Sequence, residues 1–225
     1  MKLDEQVAEF EKSYNVNGYA VVDLMDRDIV TRARNTLLEE LRRVSGSSSI
    51  TLEHYHEQMK DSDRHTEMQV HMTAFYRQAK LGFEIAQGHQ PFFEKILGRD
   101  LQVQRNPYLR ITRPHQDGDN IGFHRDTYYG GSPHELSFWV PFVDISAENG
   151  LSVVPGSHNF PESHFRTVQI KSPDVEKGSS KHQLGFPYAP KVVDEADLTN
   201  AKPVAVKFGQ ALIFTVSENF KKDVA

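Results

Sequence analysis

The chain contains no cysteine. That excludes disulfides and thiolate metal centres, so any metal must be held by histidine, aspartate, glutamate or water. Long apolar runs are missing too. The first residues, MKLDEQVAEFEKSY, are charged and amphipathic, unlike a signal peptide or a membrane helix. Charge of one sign is nowhere concentrated: the formal net charge is -5 without an acidic or basic block, so nucleic acid is not an expected partner. What remains is a soluble, globular composition, 38% hydrophobic and 25% charged over 225 residues, which suffices to bury a core. These absences together predict a cytoplasmic protein that forms one domain over 1–225.

The first hundred residues read as helical. Leu3, Val7, Phe10 and Tyr14 recur at helical spacing. GYAVVDL (18–24) reads as a strand. Asp26 or Asp28 is placed to cap a helix whose stripe is Ile29, Ala33, Leu37, Leu41 and Val44. Residues 64–87 predict one longer helix with Met68, Met72, Phe75, Ala79 and Phe83 inward. PFFEKILG (91–98) has proline at its start and glycine at its end, the punctuation of a short helix.

From residue 101 the pattern changes. LQVQ, PYLRIT, ELSFWVPFV, LSVVPG, PVAVKF and QALIF are short apolar or alternating runs between turn formers. They predict an antiparallel sandwich or barrel, with residues 1–100 packed on a core formed by 101–225. The polar stretch from about 160 to 202 reads as a long excursion over the surface.

The sharpest feature is GFHRDTYYGG (122–131). His124 and Asp126 stand two apart, so on an extended segment both side chains leave the same side. An imidazole and a carboxylate so placed can meet one metal ion, and a distant second histidine would complete a 2-His-1-carboxylate triad with open positions on iron. The tripeptide alone also fits a loop histidine beside a solvated aspartate. Arg125, between the two, should point away from the metal.

After His124-Arg125-Asp126 come an aromatic loop, a strand bearing Trp139 and ending in an aspartate, an acidic-Asn-Gly turn, and a strand running into Pro-Gly-Ser-His. PVAVKFGQALIF then supplies two strands around a glycine. This order resembles the phytanoyl-CoA dioxygenase family of Fe(II)/2-oxoglutarate-dependent oxygenases, firmly over 101–214 and loosely before it. HRDTYY, SFWVPF and KGSSKHQLGFPYAPK further resemble a bacterial branch associated with surface-carbohydrate biosynthesis.

The resemblance implies a mainly β chain with N-terminal helices (α+β), built on a double-stranded β-helix, or jelly roll. It implies a non-haem dioxygenase that binds Fe(II) and 2-oxoglutarate and hydroxylates a small molecule, carbohydrate-linked if the narrower branch applies. His124 and Asp126 become metal ligands. Trp139 matches a position near the co-substrate, with a core aromatic as the alternative. Tyr108 and Arg110 lie two apart on the strand before the motif, where relatives offer polar groups to co-substrate or substrate; exposed strand positions are the alternative. Thr127 and Tyr128, with Tyr129, line the pocket mouth or else pack the loop.

The pattern breaks at the end. The family's distal histidine should fall near Asn219 or Phe220, yet no histidine follows His182 and no arginine follows the last apolar strand. The tail lacks the strand pattern expected next, so the jelly roll is expected to miss its last strands, as in a truncated chain. Glu218 or Asn219 could offer an oxygen to the metal instead. A non-catalytic jelly-roll module that binds a sugar or protein is the alternative function. A cupin-like site would need His158 or His182 to converge on His124.

Overall fold

The computed structural model describes residues 2–116, 119, 122–129, 131–132, 134–169, 191–194, 198, 200–216 and 220–222. They fall into two compact units. Leu24–Arg113 is one, and residues 2–23 with the described residues from 114 onward make the other. The N-terminal helix and strand thus belong with the later strands, and the helical unit begins only after them.

In the helical unit, α2 (Arg27–Ser45) starts at Asp26, whose carboxylate accepts the Ile29 amide at 3.0 Å. Its buried stripe is Val30, Ala33, Leu37 and Leu41, close to the expected one. A single turn, α3 (Tyr55–Gln58), precedes α4 (Ser62–Gln78), α5 (Leu81–Gly88) and α6 (Gln90–Leu97). The expected long helix over 64–87 is therefore two helices. Lys80 breaks it with a φ of 55°, a left-handed conformation uncommon outside glycine. The break resets the helical phase, so Phe83, expected inward, is 52% exposed. The buried face of α4 carries polar residues as well: His65, Gln69 and Thr73 lie among Met68, Met72 and Tyr76.

Those polar residues explain a second departure. PYLRIT was expected to be a strand, and it has no strand partner among the described residues. Its backbone groups bond to side chains instead. Gln69 donates to the Leu109 carbonyl at 2.6 Å and accepts the Ile111 amide at 2.8 Å, while Thr73 also donates to Leu109 and Arg77 to Pro107. A buried main chain needs partners, and here one glutamine serves as a ladder rung. LQVQ likewise forms no strand.

The other unit opens with α1 (Leu3–Asn17) and β1 (Tyr19–Asp23). Its later strands are β2 (Leu136–Trp139), β3 (Leu151–Val153), β4 (Thr167–Gln169), β5 (Lys191–Val193), β6 (Lys202–Val204), β7 (Gln210–Thr215) and β8 (Phe220–Lys222). Three antiparallel sheets result, ordered β1-β7-β2, β6-β3-β8 and β4-β5. The first two enclose a core of Leu151, Val153, Val204, Val206, Leu212 and Phe214, with Tyr19 and Trp139 packed against it. Register fixes which side chains point there. Tyr19 and Ser137 both lie opposite Phe214, and Trp139 opposite Leu212, so Ser137 and Trp139 share the inner face.

Gly150 lets β3 begin beside β6, since a Cβ there would lie 2.4 Å from the Val204 carbonyl oxygen. In the turn before it, Asn149 accepts the Ser146 amide, and Asp144 accepts the Phe208 amide at 2.8 Å. The tail also departs from expectation: Phe220–Lys222 is a strand, β8, paired with β3 in spite of its charge. A strand at a sheet edge tolerates lysines. Within the excursion from about 160 to 202, β4 and β5 pair with each other, and residues 170–190, 195–197 and 199 lie outside the described residues.

Candidate metal site

His124 is 5% exposed. Its Nδ1 lies 2.8 Å from the Gly122 carbonyl oxygen, which can only accept, so Nδ1 carries the proton. Nε2 then presents its lone pair, and the Asp126 Oδ1 lies 3.8 Å from it. A carbonyl that fixes the tautomer of a ring nitrogen is the usual support of a metal-binding histidine. The Asp126 carboxylate is partly exposed, and its Oδ2 accepts a long bond, 3.4 Å, from Ser137 on the inner face of β2. Ser137 was missed from sequence. The only signal was a polar residue two places before Trp139 in an otherwise apolar strand.

The segment is held from several sides. A 3-10 turn spans Asp126–Tyr129. The Thr127 amide donates to the Val216 carbonyl just past β7, and the Gly131 amide donates to the Asp126 carbonyl at 3.2 Å. A Cβ at Gly131 would sit 3.1 Å from the same oxygen. Phe123 accepts the Val193 amide, and its ring joins a second small core with Val154, Phe165, Val193 and Leu198. Tyr128 packs against this core, and burial pushes its phenol pKa up. Thr127 Oγ1 is buried with no hydrogen-bond partner among the described residues, an orphan hydroxyl beside Asp126.

Arg125 points away from the pair, towards the 157–160 turn. It is 2% exposed, donates to the Phe160 carbonyl at 2.9 Å and the Ser157 carbonyl at 2.5 Å, and lies over the Phe165 ring. His158, between those carbonyls, faces Tyr14 and the backbone of Asn15 in α1, and burial lowers its pKa. No group of three His, Asp or Glu residues able to hold a metal occurs among the described residues. The convergence of His158 on His124 that a cupin-like site needs is therefore not found. His182, Glu218 and Asn219 lie outside the described residues, while Phe220 is in β8.

Trp139 is half-buried against the inner core. Tyr108 and Arg110 belong to the helical unit and are exposed, on a segment that is not a paired strand. The Arg110 guanidinium lies 5.5 Å from the centre of the Tyr108 ring, and that of Arg77 lies 4.9 Å from it. Among the described residues, no helix is long and apolar enough to cross a membrane.

The described residues thus combine helices, small antiparallel sheets and a His-x-Asp pair beside the inner face of one sheet. The chain belongs to the phytanoyl-CoA dioxygenase family, whose model matches residues 14–217. Members of this family are enzymes that use Fe(II) and 2-oxoglutarate.

Two solved structures agree in fold. The apo form of ThoJ, a non-heme monooxygenase, aligns at TM-score 0.52 with 16% identity over 96% of this chain and 71% of that one. AviO1 from Streptomyces viridochromogenes Tue57 aligns at 0.50 with 14% identity over 100% and 89%. EvdO2 from Micromonospora carbonacea var. aurantiaca, complexed with 2-oxoglutarate, aligns at 0.49 with 13% identity over 96% and 83%. No curated protein sequence matched.

Proposed function

We propose that this chain is a cytoplasmic Fe(II)- and 2-oxoglutarate-dependent dioxygenase on a jelly-roll scaffold, with His124 and Asp126 as two of the three iron ligands. The observation that carries the assignment is the His124 tautomer. Its Nδ1 is committed to Gly122, and its Nε2 is 3.8 Å from an Asp126 oxygen. Metal–ligand bonds of about 2 Å let both atoms reach one cation. The orphan hydroxyl of Thr127 adds a polar group beside them. A nitrogen and a carboxylate oxygen suit iron, which when bound would supply the oxidising power for C–H hydroxylation.

The chain's own residues bind, orient and exclude water. Trp139 covers the inner face next to Ser137, where 2-oxoglutarate would lie. Tyr108 and Arg110, 5.5 Å apart from ring centre to guanidinium in the helical unit, offer a ring and a fork suited to a carboxylate. Thr127 and Tyr128 would border the substrate, a small molecule that is carbohydrate-linked if the branch resemblance holds.

The test is anaerobic Fe(II) titration with and without 2-oxoglutarate, following the visible charge-transfer band of the chelate. A band in the wild type, lost in both His124→Ala and Asp126→Ala, supports the site. A band that survives both substitutions removes it. A second reading, a non-catalytic jelly-roll module, draws on the missing third ligand among the described residues. It predicts no band, and sugar binding that a chelator leaves unchanged.

A further inference from the structure

We infer that Arg125 is the positioning residue of the metal site, setting the mutual orientation of His124 and Asp126 by clamping the turn between them. The inference rests on the site proposed above. A guanidinium 2% exposed is costly to bury, and an apolar side chain of similar size would serve packing as well. Among the described residues, Arg125 donates to backbone carbonyls 32 and 35 residues further on, at Ser157 and Phe160. Ser157 is itself fully buried.

The loop so gripped is fixed in turn. The Gly156 amide donates to Asn17 at the end of α1, and His158 lies against Tyr14. The Arg125 fork thus ties the centre of the ligand tripeptide to an anchored turn, while the Thr127 amide ties its far side to Val216. With Arg125 held by the 157–160 turn, His124 and Asp126 on either side of it approach to 3.8 Å. Ser137 reaches Asp126 only at 3.4 Å, and the Gly122 carbonyl orients His124 alone. Of these three groups, only Arg125 sits between the two ligands and bears on both.

Cobalt(II) serves as the probe, because its visible absorption reports both affinity and coordination geometry. Arg125→Lys keeps the charge and loses the fork. Arg125→Gln loses the charge and keeps one reach. Val193→Ala loosens the same small core without touching the clamp. Each variant's thermal midpoint is measured beside its cobalt titration.

We expect both Arg125 variants to bind cobalt about ten- to a hundredfold more weakly with an altered band shape, and Val193→Ala to lose stability with an unchanged titration. A cation acting only as a nearby charge would give the opposite sign, since Arg125→Gln would then bind cobalt more tightly. Tighter or unchanged binding in the Arg125 variants, with binding in the wild type, overturns this inference alone. A wild type that binds no cobalt overturns the site and the clamp together. If Arg125→Gln does not fold, the lysine variant decides on the same readings.

Discussion

In the helical unit, buried polar side chains turn towards backbone and so hold the fold. Gln69 and Thr73 satisfy the 109–111 main chain, and Arg113 donates to the Met59 and Lys60 carbonyls. In the β unit, a comparable set gathers at one turn. His124, Arg125 and Ser157 are all buried within or against a segment where Asp126 remains partly exposed. The difference teaches where chemistry is to be sought. A buried polar group whose partners complete a main-chain ladder is structural. One whose ring nitrogen faces a partly exposed carboxylate can do something else.

The largest expected effect breaks the two apart at the β unit. Asp126→Ala should lower metal affinity at least about 100-fold. It should shift unfolding by less than about 0.5 kcal/mol, because the side chain is partly exposed and its bond to Ser137 is long. Metal titration and thermal denaturation of the same preparation check both halves. A large loss of stability would place Asp126 among the structural residues and undo the contrast.

Gln69→Ala is the mirror experiment. It strands the Ile111 amide and leaves the Leu109 carbonyl to Thr73, and should cost about 1–3 kcal/mol. Metal affinity should change by less than about twofold. Urea unfolding gives the first number and metal titration the second. A Gln69 variant as stable as wild type would mean that the 109–111 chain finds other partners.

Much of this contrast was legible beforehand, and unevenly so. Helix α2 and its Asp26 cap follow from spacing and cap chemistry, which are local. The His124–Asp126 pair was legible because alternation on an extended segment needs only two residues. The break at Lys80 was not, since nothing in FYRQAKLGF marks a left-handed lysine. PYLRIT read as a strand because its composition is that of a strand. Its partner is a glutamine 42 residues away from Ile111, and no local pattern carries that. The tail misled for the same reason: β8 is held by pairing with β3, not by its own apolar content.

Acid should separate the units more gently. Each has a histidine whose pKa desolvation lowers, the buried His89 in one and the half-buried His158 in the other. The unfolded chain takes those protons first, so both units lose stability as pH falls through the ordinary histidine range. Among the described residues, a further loss belongs to the helical unit. Arg43, then His71, hold Glu40 at about 2, below its usual 4.5. A depressed carboxylate stabilises above 4.5, and that contribution fades as pH falls towards 2. Because Arg43 is mostly exposed, the contribution is put at about 1–2 kcal/mol. Unfolding of wild type and Glu40→Gln between pH 6 and pH 3 checks it, the two curves converging at the acid end. Parallel curves would show that Glu40 is not ionised against Arg43 and His71 in the way its bonds imply.

The smallest effect concerns where the helical unit starts. Asp26 caps α2 through one bond to the Ile29 amide, next to the junction with β1. Asp26→Ala removes that acceptor and should cost about 1 kcal/mol. Asp26→Ser keeps an acceptor of similar reach and should recover most of it. If the two units unfold as one cooperative body, the loss appears as a single shift of the whole transition. If the helical unit melts by itself, the shift is confined to the far-ultraviolet helical signal, while the fluorescence of Trp139, the chain's one tryptophan, in β2, keeps its midpoint. Trp139 lies in the β unit and Asp26 in the helical one, so one substitution and two probes measure how far the contrast between the units extends to their stability.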